Sequence, residues 1–198
     1  ICTGWTENRA IYGKGSDEVL SAVMDVRLKL PFQLLSFNTD NGTEFLNRNL
    51  YLYFSADKGV EFTRSRAYKK NDNCHVEQKN WTYVRESFGY ERYDLEEQVV
   101  IMNEIYKKYH NILNNFFVPQ LKLKEKLRVG SKIVRKYDIP KTPYQRLLDS
   151  EFLTMGQKEL LKRKYNTLNP IELRDCIKIL MLKLGKTKEI SVEDKIAA

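Results

Sequence analysis

Three cysteines, two histidines and the absence of any long apolar run set the first limits on this chain of 198 residues. Cys2, Cys74 and Cys176 are an odd, scattered set. They build neither a disulfide framework nor a CxxC metal site, and a reducing cytoplasm is the expected setting. The adjacent Cys74-His75 has no second pair to complete a zinc site. Apolar runs such as Val99-Val100-Ile101-Met102 and Ile179-Leu180-Met181-Leu182 are short. A membrane-spanning helix needs about 20 apolar residues, so none is expected. The N-terminus lacks the charged-then-apolar layout of a signal peptide. No internal repeat, low-complexity tract or helix-turn-helix is visible.

What the chain does have is charge, unevenly placed. The formal net charge is +8, from 34 basic and 26 acidic side chains. Residues 1–90 hold 12 basic and 11 acidic groups, and residues 91–198 hold 22 and 15. Within Lys107 to Arg146 there are 11 basic residues against only Glu125 and Asp138. A local excess of this size points to a polyanion partner. Its plain alternative is a well-solvated surface. With 42% hydrophobic residues the chain can also build a core.

Strand and helix signals alternate over the first ninety residues. Ile1–Trp5 and Arg9–Tyr12 read as a short antiparallel pair closed by Gly13-Lys14-Gly15. Ser16 reads as the N-cap of a helix that carries Asp17 and Glu18 in its first turn and is stopped by Pro31. Phe32–Phe37 reads as a buried strand ending in the turn residues Asn38-Thr39-Asp40-Asn41-Gly42. A second helix capped by Thr43, a strand over Val60–Thr63 and a third helix opened by Asn73 complete the pattern. Such alternation indicates an α/β architecture.

Beyond this the character changes. Asp94-Leu95-Glu96-Glu97 reads as a capping-box start of a long helix. Its stripe is Leu95, Val99, Met102, Ile105, Tyr106, Tyr109, Ile112 and Leu113. Leu121, Leu123, Leu127 and Val129 alternate with Lys122, Lys124, Lys126 and Arg128, which is strand periodicity with a basic face. Gly130-Ser131 is placed to turn that strand back into Ile133–Tyr137. The prolines of IPKTPYQRLL suggest a rigid connector. The last fifty residues read as helical, with starts at Thr154…Gln157 and Asn169-Pro170 and a stop at Gly185. The expected division is 1–93, 94–117, 118–148 and 149–198.

Two carboxylates stand out by position. Asp40 follows a strand, where α/β folds present reactive groups. Glu77 falls in the first turn of a helix. Carboxylates converging from two elements suit Mg²⁺ (or Mn²⁺), a hard cation that keeps positions open for phosphate oxygens. Such ions activate an attacking oxygen in phosphodiester chemistry. A turn-forming DNG tripeptide and a helix-capping Glu are the structural alternatives.

Asp40-Asn41-Gly42-Thr43-Glu44-Phe45, followed by Lys70-Asn71-Asp72-Asn73-Cys74-His75-Val76-Glu77-Gln78-Lys79-Asn80, resembles the integrase core of DDE transposases and retroviral integrases. Insertion-sequence transposases are the closer likeness, and it covers about residues 1–90. The 36 residues between Asp40 and Glu77 match the family's spacing. The resemblance implies a ribonuclease-H-like α/β fold, incomplete at its first strand, followed by a basic β-like segment and a helical C-terminal tail. It makes Asp40 and Glu77 the second and third catalytic acids and metal ligands. The family's first Asp is not found within the chain. By the same likeness it is expected upstream of Ile1, so the chain reads as an N-terminally truncated piece, inactive alone.

The function implied is metal-dependent cleavage of DNA and transfer of its 3′ end. The partners implied are transposon ends and target DNA, with a homo-oligomer assembled on DNA in a bacterial cytoplasm and no membrane. Candidate DNA contacts are Lys79, Asn80 and Arg85 on the Glu77 helix. Lys122, Lys124, Lys126, Arg128, Lys132, Arg135 and Lys136 in the basic segment are the others. The positions where retroviral integrases carry lysines on that helix are Trp81 and Val84 here, so that feature does not transfer. The competing expectations are a non-catalytic DNA-binding or oligomerisation remnant and a nuclease of the same fold.

Overall fold

The computed structural model describes residues 2–13, 15–39, 48–56, 59–66 and 79–196, with side chains given to residue 187. The chain is mixed α/β and forms two compact units. One unit takes Ile1–Glu7 and Ile105–Met181, the other Asn8–Glu104 and Leu182–Ala198.

The second unit contains a parallel strand pair. Helix α1 (Ser16–Lys29) starts after Gly15, with Asp17 and Glu18 in its first turn and Arg27 and Lys29 in its last. That charge order suits the helix dipole. Ser16 is therefore the first helical residue and not the cap expected of it. Strand β1 (Ser36–Thr39) begins later than the apolar run Phe32–Phe37 implies. Helix α2 (Arg48–Ala56) crosses to β2 (Glu61–Arg64). The strands are parallel, with Ser36 opposite Glu61 and Thr39 opposite Arg64. Parallel strands require such a crossover.

The core here is aromatic. Leu50, Phe54 and Val60 are buried, with Leu20, Val23, Leu34, Phe37, Tyr53 and Phe62 packed around them. Phe37 stacks on Phe54 at 4.5 Å, and Phe54 on Phe62 at 5.7 Å. A polar ladder lies near the strand ends. Asn38 Nδ2 donates to Thr63 Oγ1 at 2.8 Å, and Ser65 Oγ donates to Asn38 Oδ1 at 3.2 Å.

Residues 2–13 do not form the expected antiparallel pair. Asparagine side chains take the place of a partner strand. In the first unit Thr6 N–H donates to Asn115 Oδ1 at 2.9 Å, and Asn115 Nδ2 donates to Thr6 O at 2.8 Å. In the second unit Ala10 and Asn103 make the same reciprocal pair, at 3.0 and 2.8 Å. A carboxamide has both a donor and an acceptor, so it satisfies a peptide unit as a strand would.

The long helical stretch is divided into α4 (Glu96–Glu104), a π-helical segment (Ile105–His110) and α5 (Asn111–Phe117), α3 being the short turn Glu86–Phe88. Its start lies one residue later than expected. Gln98, not Glu97, reaches back to the Leu95 N–H, at 3.1 Å. Gln98, Ile101, Met102, Ile105, Tyr106, Asn111, Asn115 and Phe116 are the buried positions. The π turn advances the face by one residue relative to an ideal helix. That is why Asn111 and Asn115 are buried where Ile112 and Leu113 were expected to be.

The first unit continues with β3 (Leu123–Val129) and β4 (Lys132–Tyr137), an antiparallel hairpin turned at Gly130-Ser131 as its pattern implies. Gly130 has φ 62°, which glycine adopts without strain. The connector IPKTPYQRLL is half helix: α6 (Pro143–Asp149) is opened by a complete Thr142/Gln145 capping box with Pro143 at its first turn. Helix α7 (Met155–Asn166) has the same box from Thr154 and Gln157. Helix α8 (Pro170–Ile196) runs through Gly185 instead of stopping there. Leu184 and Thr187 on either side are buried, and Gln98 Nε2 donates to Thr187 Oγ1 at 3.3 Å. Tertiary burial thus outweighs the cost of about 1 kcal/mol for a helical glycine.

Candidate nucleic-acid interface

Asp40 and Glu77 lie outside the described residues. The neighbouring Thr39 is placed at the carboxyl end of β1. It is buried, and its Oγ1 has no hydrogen-bond partner among the described residues. Among the described residues no group of three or more His, Cys, Asp or Glu is gathered as a metal site would need. No described helix is long and apolar enough to cross a membrane.

On residues 79–88 of the second unit, Lys79 donates to Tyr83 Oη at 3.3 Å and lies over that ring. Asn80 is exposed and precedes the π-helical segment Trp81–Arg85. Arg85 is exposed and stacks over Tyr90 at 4.7 Å. A guanidinium held on an aromatic face keeps its in-plane donors pointing outward.

The hairpin in the first unit holds most of the other candidates. Every residue of β3 and β4 is exposed. Directly opposed residues of an antiparallel pair share a face, and alternate residues along each strand change face. Lys126 is opposite Arg135, and Arg128 is opposite Ile133. One face therefore has cations at its centre, flanked by Tyr137. Leu127 is opposite Val134, and Val129 opposite Lys132. The other face therefore has an apolar centre, closed at one end by the Lys136–Glu125 ion pair at 3.0 Å. Lys124 sits at the register shift between Leu123 and Glu125. Arg128 Nε also donates to Gly130 O at 3.2 Å, near the turn.

Lys122 is partly buried. Its Nζ donates to the Cys2 carbonyl, and desolvation, followed by the charge of Arg146, lowers its pKa. At the hairpin base Arg146 Nη1 pairs with Asp138 Oδ2 at 2.5 Å and Nη2 donates to Gln120 O at 2.8 Å. Asp138 Oδ1 accepts from Lys122 N–H at 2.7 Å. The Arg146 hydrogen bond, and then the Lys122 one, hold the Asp138 carboxyl below the usual range. Five cations of the basic window therefore fall into two roles. Arg146 and Lys122 anchor the hairpin, while Lys126, Arg128 and Arg135 crown it.

Sequence reasoning missed the residues that anchor. Asn103, Asn111 and Asn115 recur at helical spacing among apolar neighbours, and that polar intrusion is the signal that could have found them. Asn111 Nδ2 donates to Glu7 Oε2 at 3.0 Å. The first unit also holds Tyr144 stacked on Tyr165 at 4.8 Å and Trp5 edge-on to Phe116 at 5.4 Å.

An uncharacterized protein, y4rM, of Sinorhizobium fredii is 37% identical to the chain over 146 residues. The match covers 74% of this chain and 41% of that protein, so the chain spans about two-fifths of the relative's length. No family model matches, and no solved structure matches.

Proposed function

We propose that the chain is part of a DDE-type DNA transposase or integrase with a ribonuclease-H-like core, and that its hairpin tracks DNA phosphates. The observation that carries this reading is the Asp40–Glu77 pattern, together with the position of Asp40 directly after β1 of a parallel β1–α2–β2 unit. Ligands of α/β sheets bind beyond the carboxyl ends of parallel strands. In this reading Asp40 and Glu77 hold Mg²⁺ (or Mn²⁺), and the Thr39 hydroxyl, one residue earlier in sequence and without a hydrogen-bond partner among the described residues, agrees with a polar site there. The metal, when bound, supplies activation of the attacking oxygen. The third carboxylate comes from a part of the whole protein outside this chain. The described strands β1 and β2 form a two-stranded parallel sheet, and a parallel sheet is ordinarily larger and covered on both faces, which agrees with one continued by such a segment.

On the hairpin, Lys126 and Arg135 face each other with like charge, which destabilises an antiparallel pair and is relieved by a polyanion. A two-stranded ribbon also fits a DNA major groove. Contacts of this kind are insensitive to base sequence and sensitive to salt.

The test uses the chain extended upstream to include the further Asp-bearing segment. Mg²⁺-dependent strand transfer, abolished by Asp40→Asn and by Glu77→Gln, is the expected result. DNA binding that persists without cleavage or joining by the extended protein would replace the enzyme with a DNA-binding remnant. Cleavage without joining would favour a nuclease.

A further inference from the structure

Trp81 and Tyr90 differ from the aromatic side chains that lie between them in sequence. Tyr83 and Phe88 are buried, whereas Trp81 is 53% and Tyr90 70% exposed. Both exposed rings are nonetheless held in place. Trp81 Nε1 donates to Glu86 Oε1 at 3.1 Å. Gly89, at φ 73°, reverses the chain after α3, a conformation that glycine adopts without strain. Its N–H donates to Arg85 O at 2.9 Å. The reversal brings Tyr90 edge-on to Trp81 at 6.2 Å, with the Arg85 guanidinium over the Tyr90 ring at 4.7 Å. The cluster is ordered without being buried, so packing of the core does not account for it.

We propose that Trp81, Arg85 and Tyr90 form a stacking site for an unpaired nucleobase and its phosphate. The geometry selects this ligand. In an edge-on pair one ring cannot close both faces of the other, so the indole keeps an open π-face. Every nucleobase has a π-face to lay on it, and stacking on exposed aromatic rings holds single strands with little regard to sequence. Arg85 supplies the rest of the recognition. One flat side of its guanidinium lies on Tyr90, and its in-plane N–H groups are left for a phosphate. A methylated ammonium, the other common ligand of clustered aromatic rings, is repelled by that same guanidinium. An uncharged proline-rich peptide leaves it unused. A base stacked within a duplex offers no open face, so the ligand is a single strand, a frayed end or an extruded base. The inference takes from the proposed function only that the chain meets DNA, and it does not depend on the hairpin or on catalysis.

Fluorescence titration of the full chain is the test. Trp5 and Trp81 are its two tryptophans, so Trp5→Phe leaves Trp81 as the reporter. A short single-stranded oligothymidylate should quench the Trp81 emission, and an abasic strand of the same length should not. The oligothymidylate should also bind about tenfold more tightly than the abasic strand. Trp81→Ala and Tyr90→Ala should each reduce that advantage severalfold, and Trp81→Phe should keep most of it. Arg85→Ala should weaken both strands. Lys126→Ala with Arg135→Ala should leave the advantage unchanged. Circular dichroism of each variant separates loss of the site from loss of fold. Equal affinity for the two strands overturns the proposal. Duplex binding through the hairpin with no quenching by the single strand overturns it too, while leaving the DNA reading intact. Quenching by a proline-rich peptide and not by the oligothymidylate replaces the nucleobase with a peptide. Quenching by the single strand in an extended protein that neither cuts nor joins DNA upholds the site and overturns the transposase reading alone.

Discussion

The molecule contains two small sheets built on opposite terms. In β1–β2, Phe37, Phe54 and Phe62 stack into a covered core, and Asn38, Thr63 and Ser65 lock the strand ends together. In β3–β4 no residue is buried, and the central pair on one face is Lys126 against Arg135. The first sheet is held by what lies over it. The second is held at its base, by Arg146, Asp138 and Lys122, and presents everything else to solvent. A sheet that gives up burial in this way gains a surface, and the cost falls on the anchor.

The largest expected effect comes from breaking the covered sheet. Phe54→Ala should destabilise the second unit by about 3–5 kcal/mol, because it removes the ring stacked between Phe37 and Phe62. Denaturant unfolding checks this, and a cost near zero would mean that the β1–β2 core is not as packed as described.

Next is the support of the hairpin's own unit. Asn115→Ala leaves both the Thr6 N–H and C=O without their partner. An unsatisfied buried group costs about 1–3 kcal/mol. Faster amide exchange at Thr6 is the specific readout.

The same unit should be acid-sensitive through His110, whose burial lowers its pKa to about 4. The unfolded chain binds this proton near pH 6.5, so stability is full above that value. It falls as the pH drops toward 4, by up to about 1.4 kcal/mol per pH unit. His110→Asn should remove that slope, and an unchanged pH profile in this variant would exclude His110 as its source.

Smaller changes should separate the hairpin's binding from its folding. Lys126→Ala with Arg135→Ala should reduce the salt slope of duplex DNA binding by about one unit per residue lost. Thermal stability should stay constant or rise slightly, since a like-charged pair is removed. Ile133→Ala, half exposed on the same face, should change stability by no more than about 0.5 kcal/mol. A loss as large as that of Phe54→Ala would show that the hairpin is covered after all.

Local signals were readable where neighbours along the chain decide the outcome. The β3–β4 hairpin follows from alternation and Gly130, and α7 from Thr154 and Gln157. The Thr142-Pro143…Gln145 box that starts α6 was equally local, but the prolines of the connector masked it. Signals failed where distant groups decide. Arg9–Tyr12 has strand-like residues, yet the Asn103 carboxamide holds Ala10 in place of a partner strand. Gly185 has the chemistry of a helix stop, yet the burial of Leu184 and Thr187 carries α8 past it.

The sequence alone determined the α/β pattern, the concentration of charge between Lys107 and Arg146, and the Asp40–Glu77 spacing that motivates the functional proposal. Each depends only on composition, period or order. Only the tertiary structure decided which cations of that window are spent as anchors and which face outward. Lys122 and Lys126 have the same alternation in sequence. One meets the Cys2 carbonyl 120 residues away and the other meets Arg135 across a strand pair. The role of a charged side chain is set by what long-range folding places against it, and no local period encodes that partner.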